Sequence, residues 1–390
     1  MTTASETRGS RELRGSVTDL VLYFLKLGTI GFGGPIALVG YMERDLVEER
    51  GWISAEDFKL SLALAQLAPG PLAAQTAIGL GYVRAGVLGA TLVGLAFILP
   101  SFLMVVAIGA AYVRFGGLRW MQALFYGVGA AVIGIIARSA YKLTRSTIGA
   151  RRLLWIIYGT TAVATAITRR EIASLFLLSG VVALFAYAPP RALMSRLNGA
   201  VPWIGLWAPQ GMAPASNHTL WRIFLFFAKA GAFVFGSGLA IVPFLYGGVV
   251  RDYHWLTESQ FLDAVAVAMI TPGPVVITVG FIGYLVAGVA GATLAALGVF
   301  LPVYFFVVIP FGWFKKHGSN PHLKAFVDGV TAAAVGAITG AVIVLGAKAI
   351  RDVPTALIAA AALFALIRFK TPEPLIVGGA GLVGLILFKG

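Results

Sequence analysis

The chain contains no cysteine, which excludes disulfides, a thiol nucleophile and thiolate metal sites. Charge is nearly as scarce. Asp, Glu, Lys and Arg make up 12% of the 390 residues, against roughly 25% in an average soluble domain. That is too little to cover a water-facing surface of this size. The four histidines, His218, His254, His317 and His322, all fall in polar connections, so no buried histidine metal or proton site is expected and no metal or cofactor is called for. A Walker-type glycine-lysine loop is missing, which argues against an ATP-driven pump within the chain. Ser101, Ser139 and Ser237 have no histidine partner inside an apolar run, which argues against a membrane-embedded hydrolase or transferase.

What is present is apolar. The hydrophobic fraction is 59%, against roughly 45 to 50% in soluble chains, and a helix needs roughly 20 apolar residues to cross a bilayer. Apolar runs lie near 17–41, 58–83, 86–113, 120–143, 152–168 and 172–188, and again near 220–248, 261–286, 288–312, 323–350, 354–369 and 374–390. The expected fold class is an all-α integral membrane protein with about 10–12 membrane segments, multi-pass in the inner (plasma) membrane. Residues 1–16 are polar and carry Arg8, Arg11 and Arg14. They read as a retained tail, because the run that follows lacks the short core and cleavage site of a signal peptide. The net charge of +14 invites a nucleic-acid partner, but Lys and Arg sit mainly in loops between apolar runs, where membrane topology puts them. The lipid bilayer, and no nucleic acid, is the expected partner.

Residues 189–219 hold five prolines at positions 189 to 214 together with Trp203 and Trp207, and read as a linker between two halves, 17–188 and 220–390. The halves match residue for residue. Phe24, Lys26, Gly28, Phe32 and Gly33 align with Phe227, Lys229, Gly231, Phe235 and Gly236, then Trp52 with Trp255 and Phe58 with Phe261. Pro69, Gly70 and Pro71 align with Pro272, Gly273 and Pro274. After a one-residue deletion, Gly81, Tyr82, Gly86, Gly89, Thr91 and Pro100 align with Gly283, Tyr284, Gly288, Gly291, Thr293 and Pro302. The chain is a duplicated multi-helix unit, a recurring plan of secondary transporters.

The matches cluster where helices must break. Gly31 to Pro35 interrupt the first run of the first half, and Phe235 to Gly238 the first run of the second. Each second run is interrupted by Pro-Gly-Pro, which cannot continue a helix because proline removes a donor and clashes with the preceding turn. Proline suits a first helical position, so Pro35, Pro71 and Pro274 are expected to open half-helices at membrane depth. Broken backbone there has to be buried in protein or line a wet cavity, and a helix N-terminus aimed into a cavity binds anions. The plainer alternative is that these residues only permit kinks and close packing.

The candidate substrate-binding set is Lys26, Gly33, Gly34, Pro35, Pro69, Gly70, Pro71 and Gln75, with Lys229, Gly236, Ser237, Pro272, Gly273 and Pro274 in the second half; Gln66, Thr76, Thr271 and Thr278 stand nearby. Lys26 and Lys229 occupy the same place in both halves. They either lend positive potential to an anion site or snorkel to an interface along their stems. Glu43, Arg44 and Asp328 are candidates for coupling or gating, against the alternative of a solvated helix end.

With FGGP at Phe32–Pro35, Glu43, Trp52, APGP at Ala68–Pro71, and Gly81 with Tyr82, the chain resembles the chromate ion transporters in their long two-domain form, over about Thr18 to Gly390. The second half departs from the pattern, with Gly238 where the first has Pro35 and no glutamate matching Glu43. The resemblance implies two homologous domains oppositely oriented in the membrane, and export of chromate with sulfate as a mimic. The expected partner is thus chromate or a sulfate-like oxyanion, with no enzyme activity. An oxyanion channel or a sulfate or molybdate transporter is the alternative. Proton coupling and a homodimer stay open. Inversion of the halves requires one re-entrant segment per half, with five crossing; six crossings would make them parallel. The basic loops favour inversion, since Lys142, Arg145, Arg151 and Arg152 follow the fourth segment whereas Lys315, Lys316 and Lys324 follow the third segment of the second half.

Overall fold

A computed structural model describes residues 15–32, 34–115, 118–168, 173–189, 218–233, 238, 241–317, 320–369 and 371–388. Gly33, Gly236, Ser237, the N-terminal arginines and nearly all of the linker lie outside the described residues. Among those described, the structure is helical with no strand. The first half comprises α1 (Val17–Ile30), α2 (Gly34–Glu43, continued by a π-helical stretch Arg44–Glu49), α3 (Ala55–Leu67), α4 (Leu72–Phe115), α5 (Arg119–Ile148), α6 (Arg152–Thr168) and α7 (Ala173–Tyr187). The second comprises α8 (His218–Phe233), α9 (Ile241–Leu245, continued as a π-helical Tyr246–Asp252), α10 (Glu258–Ile270), α11 (Thr278–Val308, after a 3-10 turn Val275–Ile277), α12 (Phe311–His317), α13 (Pro321–Ala349), α14 (Val353–Arg368) and α15 (Glu373–Leu387).

The first two runs of each half do not cross the bilayer. α1 has 14 residues and α3 has 13, about 20 Å each at 1.5 Å per residue, short of the roughly 30 Å hydrocarbon core. Each is one arm of a re-entrant hairpin. In the first, the Tyr23 hydroxyl donates to Asp45 Oδ2 at 3.1 Å and the Arg50 guanidinium lies over the Tyr23 ring, so α1 and the α2 arm run antiparallel around Gly31–Gly34. In the second, Ser61 faces Gly79, so α3 and residues 72–84 run antiparallel around Ala68–Pro71. Ser54 caps α3 and Thr257 caps α10, which starts both second hairpins at the bundle surface with satisfied N–H groups. The second half repeats the plan, with Phe226 of α8 packed on Phe244, Tyr253 and Trp255.

α4 and α11 are themselves folded. Ala85 and Gly86 leave the helix with φ/ψ of −149°/34° and 57°/−142°, and Ala287 and Gly288 do so with −149°/34° and 59°/−150°. The positive φ suits glycine because no Cβ meets the backbone. The chain reverses at these points, so that Gly81 packs on Gly89 and Gly283 on Gly291, each too close for a side chain.

Corresponding helices of the two halves run in opposite directions. Residues 87–115 lie alongside 278–286 in the same sense, Val105 against Gly280 and Gly109 against Tyr284, and therefore oppose their own counterpart, 289–308. α5 and α13 are likewise antiparallel, with Ile133 against Gly346 and Gly129 near Ala349. The repeats are inverted, as the basic loops suggest, but with both opening runs re-entrant instead of one. Among the described residues α4, α5, α11 and α13 are long and apolar enough to cross a bilayer, while α6, α7, α14 and α15 are shorter apolar helices of 15 to 17 residues. His322 Nδ1 meets the Ala188 carbonyl at 2.7 Å, at the end of α13 remote from Lys348. Large apolar side chains such as Leu88, Ile167 and Ile386 point outward, as a lipid-facing belt requires.

Glycine sets how closely these helices approach. A Cβ at Gly127 would overlap the Ala380 carbonyl of α15, whereas nothing lies within 4 Å of one at Gly129. Gly127→Ala should therefore cost about 1–3 kcal/mol and lower the thermal midpoint in detergent. Gly129→Ala, on the same helix, should leave it unchanged or raise it slightly; equal effects would contradict this packing.

Candidate functional site

Two hairpin tips from opposite halves meet inside the protein. Gly273, at φ +93° between Pro272 and Pro274, donates its N–H to the Gly31 carbonyl at 2.9 Å. One hydrogen bond thus joins the Pro-Gly-Pro break of the second half to the glycine break of the first. A Cβ at Gly273 would collide with Ser101, whose hydroxyl reaches the Gly28 carbonyl at 3.4 Å. Gly70, at φ +141°, faces Val303, the residue aligned with Ser101, and the Gln75 amide. Gly238 packs on Val275 and Val276, just past the fourth tip. Residues 271–283 and 70–81 are buried throughout.

The tips hold ends of helix backbone. Pro35 is the second residue of α2, Pro71 immediately precedes α4, and Pro274 precedes the turn that leads into α11. The N–H groups of these first turns point toward the breaks, as at any helix start. Of the polar side chains nearby, the Thr76, Thr271 and Thr278 hydroxyls donate to the Leu72, Val267 and Val275 carbonyls of their own segments. Gln75 is fully buried; its Nε2 donates to the Pro69 carbonyl at 2.7 Å and its Oε1 has no partner. Gln66 is exposed.

Lys26 and Lys229 are not at the tips. Lys26 lies on the exposed face of α1 with Leu22 and Leu25, opposite the buried Phe24 and Leu27, and Lys229 shares the exposed face of α8 with Leu225. The gating candidates also stand apart. Glu43 is exposed; Arg44 pairs with Asp45 at 2.7 Å and reaches Glu49 at 3.5 Å; Asp328 pairs with Arg151 at 2.8 Å. The Arg44 pairs stay within one π-helical stretch, whereas Arg151–Asp328 joins the start of α6 to α13 at the face where Lys142, Arg145, Lys316 and Lys324 gather.

Sequence reasoning passed over Asp263. It sits in α10, 6% exposed, and accepts a hydrogen bond from the Tyr112 hydroxyl of the first half at 2.6 Å. It borders a cavity of about 360 Å³ that Gln122, Tyr126, Gln260 and Arg351 also line. A lone carboxylate inside the apolar run 261–286 was the available signal, since such groups are rare and functional in membranes. The cavity lies at the Lys348 end of α13, and Lys348 pairs there with Glu258 at 3.0 Å. Asp328 is 20 residues away along that helix, about 30 Å at 1.5 Å per residue, so cavity and basic face are a bilayer apart. At the cavity rim Asp352, which caps α14, accepts from the Tyr126 hydroxyl at 2.6 Å, and that bond holds its carboxyl below the usual range. Among the described residues no group of His, Asp or Glu is arranged to hold a metal.

A family model described as chromate transporter matches residues 18–186 and 221–385. The chain belongs to the chromate transporter family. It is 62% identical to the chromate transport protein of Cupriavidus metallidurans over 96% of this chain and 94% of that one. It is 59% identical to a probable chromate transport protein of Synechococcus elongatus, over 96% of each, and 33% identical to the chromate transport protein of Pseudomonas aeruginosa, over 96% and 93%. These relatives are transport proteins and not enzymes. No solved structure matches the chain.

Tyr112→Phe removes the hydroxyl that partners Asp263 and leaves a buried carboxylate without a donor. This should cost about 1–3 kcal/mol, read as a lower thermal midpoint in detergent. Adding Asp263→Asn should recover part of the loss; no change in the single variant would show that water reaches the carboxylate and replaces the bond.

Proposed function

We propose that this chromate transporter family member carries chromate outward across the plasma membrane, binding it where the broken helices of its two repeats, 17–188 and 220–390, converge. The observation that carries the reading is the Gly273 to Gly31 hydrogen bond, which brings two breaks from opposite halves together in buried surroundings. Gly34, Pro35, Pro69, Gly70, Pro71, Pro272 and Pro274 shape the site, and Gly33, Gly236 and Ser237 belong to the same breaks in sequence. Helix N-termini supply partial positive charge without a buried cation. Lys26 and Lys229, on lipid-facing surfaces, reach toward the headgroups along their stems. Glu43, Arg44 and Asp328 act at the bundle ends, where the Arg151–Asp328 pair joins the start of α6 to α13 and holds the inner face closed.

Direction follows from charge. Moving one charge through 100 mV is worth about 2.3 kcal/mol, so a dianion gains about 4.6 kcal/mol per 100 mV on leaving a cell that is negative inside. Export therefore needs no coupling ion; where proton coupling is found, Asp263 is the group placed for it. Sulfate, of the same charge and shape, is the expected mimic. The face bearing Lys142, Arg145, Arg151, Lys316 and Lys324 is assigned to the cytoplasm. In a chain without native cysteine, Thr147→Cys and Lys316→Cys should be labelled from the cytoplasmic side and Thr257→Cys from the other; labelling of the first two from opposite sides would contradict the orientation.

Replacing Pro69 and Pro71 together by alanine lets the break close into helix, which satisfies the free N–H groups internally. Gly70→Leu fills the space held by the Gln75 amide. Both variants should insert and fold yet lose chromate flux in vesicles at matched protein levels. Normal flux in the double variant would reduce the break to a packing kink.

A further inference from the structure

Among the described residues at the hairpin tips, Gln75 is the side chain whose hydrogen bonding is left incomplete. It is fully buried, and its amide lies in the Ala68–Pro71 break, where a Cβ on Gly70 would stand 2.6 Å from Nε2 and 2.8 Å from Cδ. The bond from Nε2 to the Pro69 carbonyl at 2.7 Å fixes which amide atom is which, because the reverse assignment would set two acceptors against each other. Oε1 is therefore a buried acceptor without a donor. A group of this kind is costly to leave unmade, and at a functional site it marks where a ligand donor belongs. A ligand that carries an O–H would supply the missing donor.

This constrains the oxyanion. A bare tetrahedral dianion presents only acceptors, and its lone pairs would oppose Oε1 in a site with little water. A hydrogen oxyanion presents one O–H, which can donate to Oε1 while its remaining oxygens accept from the N–H groups at the helix starts. Chromate takes up its proton near neutrality, so hydrogen chromate is a real fraction of the cytoplasmic pool. Sulfate takes one up only in strong acid. We propose that Gln75 Oε1 accepts the proton of a monoprotonated oxyanion, and that this contact makes the site select hydrogen chromate over sulfate. The inference rests on the reading that the helix breaks hold the substrate, and it revises the charge carried per cycle from two to one.

The test uses the full-length protein in proteoliposomes, with chromate flux measured at fixed total chromate from mildly acidic to mildly alkaline pH. Competition is measured with selenate, which carries no proton in this range, and with phosphate, which does. Wild-type flux should fall with rising pH in step with the hydrogen chromate fraction, and phosphate should inhibit at roughly tenfold lower concentration than selenate, the discrimination expected of one hydrogen bond to a charged ligand. Gln75→Met keeps the length and removes the acceptor. It should flatten the pH profile and bring selenate and phosphate within about twofold of each other. A pH-independent wild-type flux, stronger inhibition by selenate than by phosphate, or a Gln75→Met profile identical to wild type would each overturn the assignment. Wild-type protein that neither carries chromate nor is inhibited by any of these anions would instead remove the tip site itself.

Discussion

A backbone N–H or C=O cannot be left unmade inside hydrocarbon, and the four helix breaks of this protein exist only because something answers them. The answer is mutual. The Gly273 N–H is taken by the Gly31 carbonyl of the opposite repeat, Ser101 reaches Gly28, and Gln75 folds back on Pro69. The two Pro-Gly-Pro tips are largely buried, whereas the first glycine break runs from buried Gly31 to exposed Phe32. A single repeat would expose its tips to lipid, at a cost of several kcal/mol for each unsatisfied group.

Inversion follows from the same constraint. Hairpins that enter from one face present their tips at mid-depth, and a second pair brought in from the other face meets them there. α4 and α11 are the struts for this arrangement: each folds at an Ala-Gly pair, with one arm completing a hairpin and the other crossing the membrane beside the partner repeat's hairpin. The result is asymmetric in detail. Ser101 and Val303 occupy equivalent places beside Gly273 and Gly70, one polar and one apolar, so the two Pro-Gly-Pro tips are not chemically equal. Asp263 with Tyr112, lining a cavity at one end only, adds to that difference.

Much of this was legible in the residues. The duplication, the breaks and the opposed orientation all follow from Pro, Gly, Trp and basic positions that recur at fixed spacing, because those residue types have narrow backbone or interfacial requirements. The depth of the breaks was harder to read. Hydropathy merges two short arms into one apparent span, so the runs near 17–41 and 58–83 look like crossings when they are hairpins. Side-chain direction was not readable either: Lys26 recurs at Lys229, yet both face outward, since a position within an apolar run does not say which side of the helix it occupies. Asp263 stood in plain view but had no counterpart in the first half, and a search guided by repetition passes over unpaired features.

The central claim is that the interlocked tips are where the anion sits. Chromium scatters X-rays anomalously and the chain has no thiol to reduce chromate, so crystals grown with chromate allow its position to be read directly from an anomalous difference map. The account predicts a peak at the Pro-Gly-Pro tips, within hydrogen-bonding reach of backbone N–H groups that follow Pro71 or Pro274. A peak only in the cavity beside Asp263 and Arg351, or only against Lys26 or Lys229 at the lipid face, would contradict it.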